Sequence, residues 1–105
     1  MTAAWRILGP AQEETDAAVA WYEEQRPTLG MELLDERDAA LAIALEHPEM
    51  GAPVATVDGR VVRRVLLRRF PYALVMVHEG GVTTVVAMAH LHREPGYWRS
   101  RLDPR

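Results

Sequence analysis

Residues 61–90, VVRRVLLRRFPYALVMVHEGGVTTVVAMAH, decide the fold of this chain. β-branched and aromatic residues dominate this stretch, and turn signals divide it. Strands are expected at 61–69, 72–78 and 82–90. Glu79-Gly80-Gly81 predicts a hairpin between the last two strands, and Asp58-Gly59 predicts a tight turn ahead of the first. The short connections favour an antiparallel meander of three strands.

The first half of the sequence predicts one strand and two helices. Apolar residues from Trp5 to Leu8, ended by Gly9-Pro10, indicate an opening strand. Apolar residues at helical spacing then predict a helix from Ala11 to about Gln25 and a second helix from Leu29-Gly30 to His47-Pro48. The short link between the helices predicts a helical hairpin. The residues expected in its core are Trp21, Tyr22, Leu34, Leu41 and Leu45.

The remaining connection, Met50 to Ala55, contains Gly51 and Pro53 and is interpreted as a loop. The predicted fold class is therefore α+β: an N-terminal strand, a helical hairpin, and a three-strand antiparallel meander with a short C-terminal tail. With 105 residues, the chain is expected to form a single domain over 1–105. The helical hairpin should cover one face of the sheet and leave the other face for partners.

Composition narrows the classes of function. The chain has no cysteine, which removes disulfide and thiolate chemistry and is compatible with a reducing compartment. There is no apolar run long enough to span a bilayer and no pattern typical of a signal peptide. A cytoplasmic, soluble protein with no membrane partner is expected.

The charge distribution is asymmetric along the chain. Residues 1–49 carry eleven acidic residues against three arginines, a net charge of −8, whereas residues 50–105 carry nine arginines against four acids, a net charge of +5. All twelve basic residues are arginines, whose planar fork suits phosphate and carboxylate. A genome rich in G and C explains the absence of lysine equally well, so the clustering of the arginines carries more weight than their identity.

Four segments resemble the RelE/ParE toxins of bacterial type II toxin–antitoxin modules, especially the ParE-like or plasmid-stabilisation branch. They are Ala20-Trp21-Tyr22, His47-Pro48-Glu49-Met50-Gly51, the segment from Arg63 to Tyr72, and the segment from Ala87 to Trp98. Their order and spacing cover nearly the whole chain. The resemblance implies a RelE/ParE-like α+β toxin domain that arrests growth and is neutralised by a cognate antitoxin, as a toxin–antitoxin hetero-oligomer.

The resemblance leaves the target open. ParE-like members inhibit DNA gyrase without cleaving nucleic acid, and this is the first hypothesis for the chain. RelE-like members are mRNA interferases that cleave mRNA on the ribosome, which is the alternative. A non-toxic, repurposed member of the family is a third hypothesis.

Metal-independent RNA cleavage requires proton-transfer groups and cations around the phosphate. In the ribonuclease hypothesis, the catalytic candidates are Arg64, Arg68, His90, His92 and Tyr97. The binding candidates are Arg63, Arg69, Arg93 and Trp98. One nuclease branch of the family uses a lysine pair, which this chain lacks.

Strand alternation sorts the paired arginines. Arg64 and Arg68 should lie on one side of their strand, and Arg63 and Arg69 on the other; the pattern leaves open which side is exposed. Structural roles are an alternative for each candidate, with arginines in salt bridges to the acidic helices and Trp98 anchoring the tail. Although His90 and His92 are spaced like two metal ligands, no third ligand is fixed, and no metal or cofactor is predicted.

Overall fold

The computed structural model describes residues 4–103. Its elements are β1 (Ala4–Ile7), α1 (Gly9–Gln25), α2 (Leu29–Glu46), β2 (Ala52–Val57), β3 (Arg60–Leu66), β4 (Tyr72–Glu79) and β5 (Val82–His90), followed by a 3-10 turn (Arg99–Leu102). The predicted α+β fold, with its N-terminal strand and helical hairpin, is confirmed. No helix in the described part of the chain combines the length and apolar character needed to cross a membrane.

The strands form one mixed sheet in the order β1-β5-β4-β3-β2. The predicted meander is present as β3, β4 and β5, which pair antiparallel. Two edge strands extend it, because β1 pairs parallel with β5 and β2 pairs antiparallel with β3. The predicted loop over Met50–Ala55 is therefore wrong from Ala52 onward. Pro53 is tolerated there because β2 is an edge strand, with a register shift between Pro53 and Ala55.

The predicted tight turn at Asp58-Gly59 and the predicted hairpin at Glu79-Gly80-Gly81 are both confirmed. Asp58 and Gly59 have φ of +52° and +76° and connect β2 to β3. Gly80 and Gly81 have φ of +59° and +77° and connect β4 to β5. Two consecutive residues with positive φ are the requirement of a type I′ turn, whose twist matches that of the flanking strands.

The helical hairpin depends on close approach of its two helices at Gly30. A Cβ atom at this position would collide with the backbone carbonyl of Val19 in α1. Glu23 of α1 also accepts hydrogen bonds from the backbone N–H groups of Thr28 (2.8 Å) and Gly30 (2.9 Å). Glu23 thereby satisfies donors at the start of α2 that have no partner within the helix.

The sheet carries a core on each face. Between the helices and the sheet lie the fully buried Leu33, Leu74 and Met76. The opposite face holds a second cluster that includes Val62 and Val86. Two residues from the C-terminal segment, defined as residues 91–103, complete it: Trp98 and Leu102. The second face is thus partly covered by the chain itself.

Two predicted core positions are corrected by this packing. Trp21 is 57% exposed, because its neighbour Tyr22 is the residue of that pair that packs against the core. On α2 the fully buried leucine is Leu33, whereas Leu34 is only half-buried. Leu41 is buried as predicted. The spacing of apolar residues along a helix predicts which residues are buried only to within about one position.

Candidate functional site

An open groove of about 500 Å³ lies on the sheet face opposite the helices. We call it the sheet groove. Its floor consists of small buried side chains of β4 and β5, namely Ala73, Val75 and Ala89. The C-terminal segment forms one wall and Arg64 of β3 lies on the other side. The groove is deep because the residues on its floor are small and the side chains at its rim are longer.

Within residues 4–103, the cations of the sheet groove are arginines without a hydrogen-bonding or ionic partner. Across residues 4–103, the guanidinium groups of seven arginines each form a hydrogen bond or ion pair with a protein group: Arg6, Arg26, Arg37, Arg60, Arg63, Arg69 and Arg101. Among these described residues, the guanidinium groups of Arg64, Arg68, Arg93 and Arg99 form none. Three of these four line the groove, and Glu94 is the one acidic residue that residues 4–103 contribute to its lining.

Strand alternation separates Arg64 from Arg63 as the sequence predicts. Arg64 points to the groove face, where Val62 is buried, and its side chain is exposed. Arg63 points to the opposite face and donates to the backbone carbonyls of Glu49 (3.3 Å) and Gly51 (2.9 Å). The sequence pattern did not decide which side of the strand is exposed, and in the structure it is the side of Arg64.

The two arginines of the β3–β4 connection also differ. Arg69 pairs with Glu32 at 3.2 Å and with Glu36 at 3.1 Å, so it joins this connection to α2. Burial opposes ionisation of Glu36, but hydrogen bonds from the backbone and side chain of Arg69 and from the backbone of Arg68 outweigh it and lower the pKa of Glu36. The side chain of Arg68 is exposed and lies outside the groove lining.

His90 and His92 come together at the end of β5. The ring centroids are 5.0 Å apart, and His90 also packs edge-to-face on Tyr72 at 5.1 Å. The backbone N–H of His92 donates to Nδ1 of His90 at 3.1 Å, which places the proton of a neutral His90 ring on Nε2. His90 lines the groove and His92 is exposed beside it.

Tyr97 is held by three charged groups. Its hydroxyl donates to Oε2 of Glu14 at 2.7 Å, and its ring lies 3.9 Å from the Cζ atom of Arg93 and 5.1 Å from that of Arg101. Burial, followed by the hydrogen bond to Glu14, raises the pKa of Tyr97 to about 12. Its neighbour Trp98 is buried in the second core and anchors the C-terminal segment.

Glu14 is the residue that sequence reasoning missed. Its Oε1 accepts from the backbone N–H of Met88 (3.1 Å) and from Arg101 Nη1 (2.8 Å), while Oε2 accepts from Tyr97 and from Arg101 Nη2 (2.8 Å). Burial opposes ionisation, but these hydrogen bonds outweigh it and lower the pKa of Glu14. Glu14 thereby joins α1, β5 and the C-terminal segment.

The geometry of β5 explains why this cluster is needed. β1 pairs with β5 only as far as Val85, so the rest of β5 has no strand on that side. Arg101 donates to the carbonyl of Val86 at 3.0 Å, and Glu14 accepts the N–H of Met88. The ion pair thus replaces missing strand hydrogen bonds at a partly buried sheet edge.

The arrangement is suited to binding anions. Arg64, Arg93 and Arg99 surround an apolar floor, and an arginine without an internal partner is available for a carboxylate or phosphate from another molecule. Within residues 4–103, no three histidine, aspartate or glutamate side chains converge as a metal site. Two proton-transfer candidates, His90 and Tyr97, line the groove with these cations, and the Tyr97 hydroxyl already donates to Glu14.

Comparisons with known proteins identify the fold. No protein-family model matches the chain, and no curated protein matches it. Among solved structures, a chain of the chromosomal ParDE TA system from P. aeruginosa matches with a TM-score of 0.71 and 16% sequence identity. The match covers 87% of this chain and 98% of that chain. At this identity the likeness shows a shared fold, and the predicted RelE/ParE-like fold is confirmed.

Proposed function

We propose that this chain is the toxin component of a bacterial type II toxin–antitoxin module, and that it arrests growth by binding and inhibiting DNA gyrase. A cognate antitoxin neutralises it by placing an acidic segment over the sheet groove. The observation that supports the proposal is the set of arginines that form no hydrogen bond or ion pair within the described part of the chain, beside the apolar floor of that groove. Antitoxin and gyrase compete for this surface.

The placement of the proton-transfer candidates favours binding over catalysis. The Tyr97 hydroxyl is engaged with Glu14, and a pKa raised to about 12 makes it a poor base near neutral pH. His90 Nδ1 is occupied by the N–H of His92. General acid–base cleavage of RNA requires one group to remove a proton and another to supply one. Of the candidates that line the groove, His90 keeps Nε2 available, whereas the Tyr97 hydroxyl is held by Glu14.

The alternative function, an mRNA endoribonuclease, is favoured by one observation. His90 lines the same groove as Arg64 and Arg93, so a phosphate held by these arginines would lie near an imidazole. In that function His90 transfers a proton from Nε2, and the arginines stabilise the charge that develops on the phosphate.

The test is induced expression in a bacterial host, followed within minutes by parallel assays of gyrase supercoiling and of ribosome-associated mRNA cleavage. Loss of supercoiling with intact mRNA supports the proposal. New mRNA 5′ ends with intact gyrase activity would replace it with the ribonuclease function. Growth without either change would identify a repurposed, non-toxic protein.

A variant pair connects the result to the sheet groove. Arg64→Gln combined with Arg93→Gln removes two groove cations. It is expected to weaken gyrase inhibition by about tenfold or more, because one lost hydrogen bond to a charged group costs about 1.5–3 kcal/mol. Arg26→Gln is the matched control, because Arg26 forms an exposed ion pair with Glu32 in the helical hairpin and lies outside the groove. If both variants inhibit as well as the original protein, the groove is not the gyrase-binding surface.

A further inference from the structure

A small cavity of about 110 Å³ lies on the sheet face opposite the helices, apart from the sheet groove. We call it the arginine cavity. Strand β4 contributes Ala73 and Val75 to the groove but Val77 and Glu79 to this cavity, so the two lie toward opposite ends of one sheet face. Leu102 of the C-terminal segment lines the cavity beside Val77. The arginine cavity is therefore a separate site from the groove.

Two arginines reach the cavity from opposite sides of the sheet. Arg6 lies on the edge strand β1, and its Nε donates to the hydroxyl of its cross-strand neighbour Thr84 on β5 at 3.0 Å. Arg60 lies on β3, and its Nη2 donates to the carbonyl of Leu102 at 2.8 Å. Since β5 and β4 separate β1 from β3, the two guanidinium groups enclose the cavity between them.

Most N–H donors of these two arginines have no acceptor within residues 4–103. A guanidinium carries several N–H groups, and Arg6 and Arg60 each use one of them in the hydrogen bonds to Thr84 and Leu102. Arg60 also lies 4.0 Å from Oε1 of Glu79, which is beyond hydrogen-bonding distance. The Thr84 hydroxyl accepts from Arg6 and keeps its own proton for a further acceptor. The cavity thus offers donors from three strands.

The charges that line the cavity are not balanced. Arg101 also lines it, but its guanidinium pairs with Glu14. Glu79 is the acidic residue that residues 4–103 contribute to the lining, and its side chain is 67% exposed. The side chain of Arg60 is only 27% exposed, so a distant and solvated carboxylate offsets little of the cost of removing its charge from water. Arg6 and Arg60 together therefore favour an anion between them.

The size of the cavity and the directions of its donors match a small tetrahedral anion. The volume equals that of about four water molecules, at about 30 Å³ each, and the oxygens of one phosphate fill a similar space. Donors approach from β1, from β3 and from β5 between them. Phosphate oxygens point in several directions and can accept from all three strands, whereas both oxygens of a carboxylate lie in one plane.

We propose that the arginine cavity binds a phosphate group, held by Arg6, Arg60 and the hydroxyl of Thr84. This inference goes beyond the proposed function and does not depend on it, because the arginines of the sheet groove take no part. The bound phosphate links β1 to β3 and lies beside Leu102. It therefore stabilises the folded chain, including the end of the C-terminal segment, by mass action.

The experiment is an NMR titration of the ¹⁵N-labelled full chain with sodium phosphate, with sodium chloride at the same ionic strength as the reference. The backbone amide shifts of Thr84 and Leu102 should saturate and give a dissociation constant. Arg6→Gln is expected to weaken binding by about tenfold or more, the effect of losing one hydrogen bond to a charged group. Shifts that do not saturate would overturn the proposal.

Arg68→Gln is the matched control for charge, because Arg68 is exposed and lies outside the linings of both the sheet groove and the arginine cavity. It should bind phosphate within about twofold of the original protein, since salt screens a distant exposed charge. Equal weakening by Arg68→Gln and Arg6→Gln would show only general attraction of anions, and the proposal would be wrong.

Thr84→Val tests the site without changing its charge. Valine is close to threonine in shape but lacks the hydroxyl, so binding should weaken by about fivefold, the effect of one neutral hydrogen bond. Thr56→Val is the matched control, because Thr56 is an exposed residue of β2 outside the cavity. Thermal unfolding verifies that each variant is folded. If folded Thr84→Val binds phosphate as tightly as Thr56→Val, the assignment is refuted.

Three further titrations identify the place and the ligand. Arg64→Gln/Arg93→Gln should leave the shifts of Thr84 and Leu102 unchanged; their loss would place the phosphate in the sheet groove and overturn the proposal. Acetate that binds as tightly as phosphate would make the cavity a carboxylate site instead. Methyl phosphate distinguishes the two sources of a phosphate group: equal affinity shows that the cavity accepts one carried by another molecule, and weaker binding restricts it to the free ion.

Discussion

Replacing Glu14 by glutamine is expected to lower the free energy of unfolding by about 2–4 kcal/mol at pH 7. Glu14 accepts four hydrogen bonds of 2.7–3.1 Å, two of them from Arg101. The side chains of Glu14 and Arg101 are only 18% and 17% exposed. Removing one partner of a fully buried ion pair costs about 3–5 kcal/mol, and the residual access of water to Arg101 lowers that figure.

Urea denaturation followed by tryptophan fluorescence measures the effect. Glu13→Gln is the matched control, since Glu13 is the preceding residue of α1 and is exposed. The double variant Glu14→Gln/Arg101→Gln should lose much less than the sum of the single variants, because each single change leaves the same partner unpaired. If Glu14→Gln unfolds at the same urea concentration as Glu13→Gln, the ion pair does not hold the C-terminal segment.

The pH dependence of the free energy of unfolding gives an independent measure of how much Glu14 stabilises the fold. Burial opposes ionisation of Glu14, but hydrogen bonds to its carboxylate outweigh burial and lower its pKa in the folded state. The contribution of Glu14 to the free energy of unfolding is therefore fully present above the ordinary carboxyl pKa. It is lost as the pH falls through the lowered value. The Glu14→Gln variant should therefore show a shallower loss of stability in acid than the original protein. Equal slopes would contradict this assignment.

Two further predictions concern Tyr97 and Arg37. The pKa of Tyr97 is raised to about 12. Its contribution to the free energy of unfolding is therefore present below the ordinary tyrosine pKa of about 10 and is lost as the pH rises through about 12. Tyr97→Phe should lose less stability than the original protein between about pH 10 and about pH 12 in urea denaturation, and parallel losses would refute the assignment. Arg37 is buried on α2, and its Nη1 has no hydrogen-bond partner although Nε donates to Asp38 at 2.8 Å. Arg37→Met should leave the free energy of unfolding unchanged or raise it by about 1–2 kcal/mol, because the cost of burying a charge disappears. A loss above about 1 kcal/mol in the same urea assay would contradict this prediction and show that the guanidinium has its hydrogen bonds satisfied.

Local signals were sufficient for most of the fold. The two turns with consecutive positive φ, at Asp58-Gly59 and at Gly80-Gly81, are encoded by the residues that tolerate this conformation. The helical hairpin follows from apolar periodicity and a short link. β2 was missed because Gly51 and Pro53 are typical of loops, and only its position at the sheet edge makes a strand with proline possible. The parallel pairing of β1 with β5 has no local signal, since it joins the two ends of the chain.

The site was only partly predictable from the sequence, because contacts between distant parts of the chain bring its residues together. The alternation of side chains along β3 predicted that Arg64 and Arg63 lie on opposite faces of the sheet. Which of them faces the groove could be identified only once the packing of the sheet was known. Glu14 is one of eleven acidic residues in the first half of the chain, and its partner Arg101 lies 87 positions away. No spacing rule connects residues so distant.

The fold also decides what the charge asymmetry of the sequence means. Acids of the helices are used internally, since Glu14, Glu32 and Glu36 each pair with an arginine from elsewhere in the chain. These pairs hold the C-terminal segment and the β3–β4 connection in place. A genome rich in G and C would explain why the cations are arginines. It would not explain why three of the four that lack a hydrogen-bonding or ionic partner within residues 4–103 line one groove. Their positions are set by the tertiary structure, and the anionic partner of the proposed function would account for them.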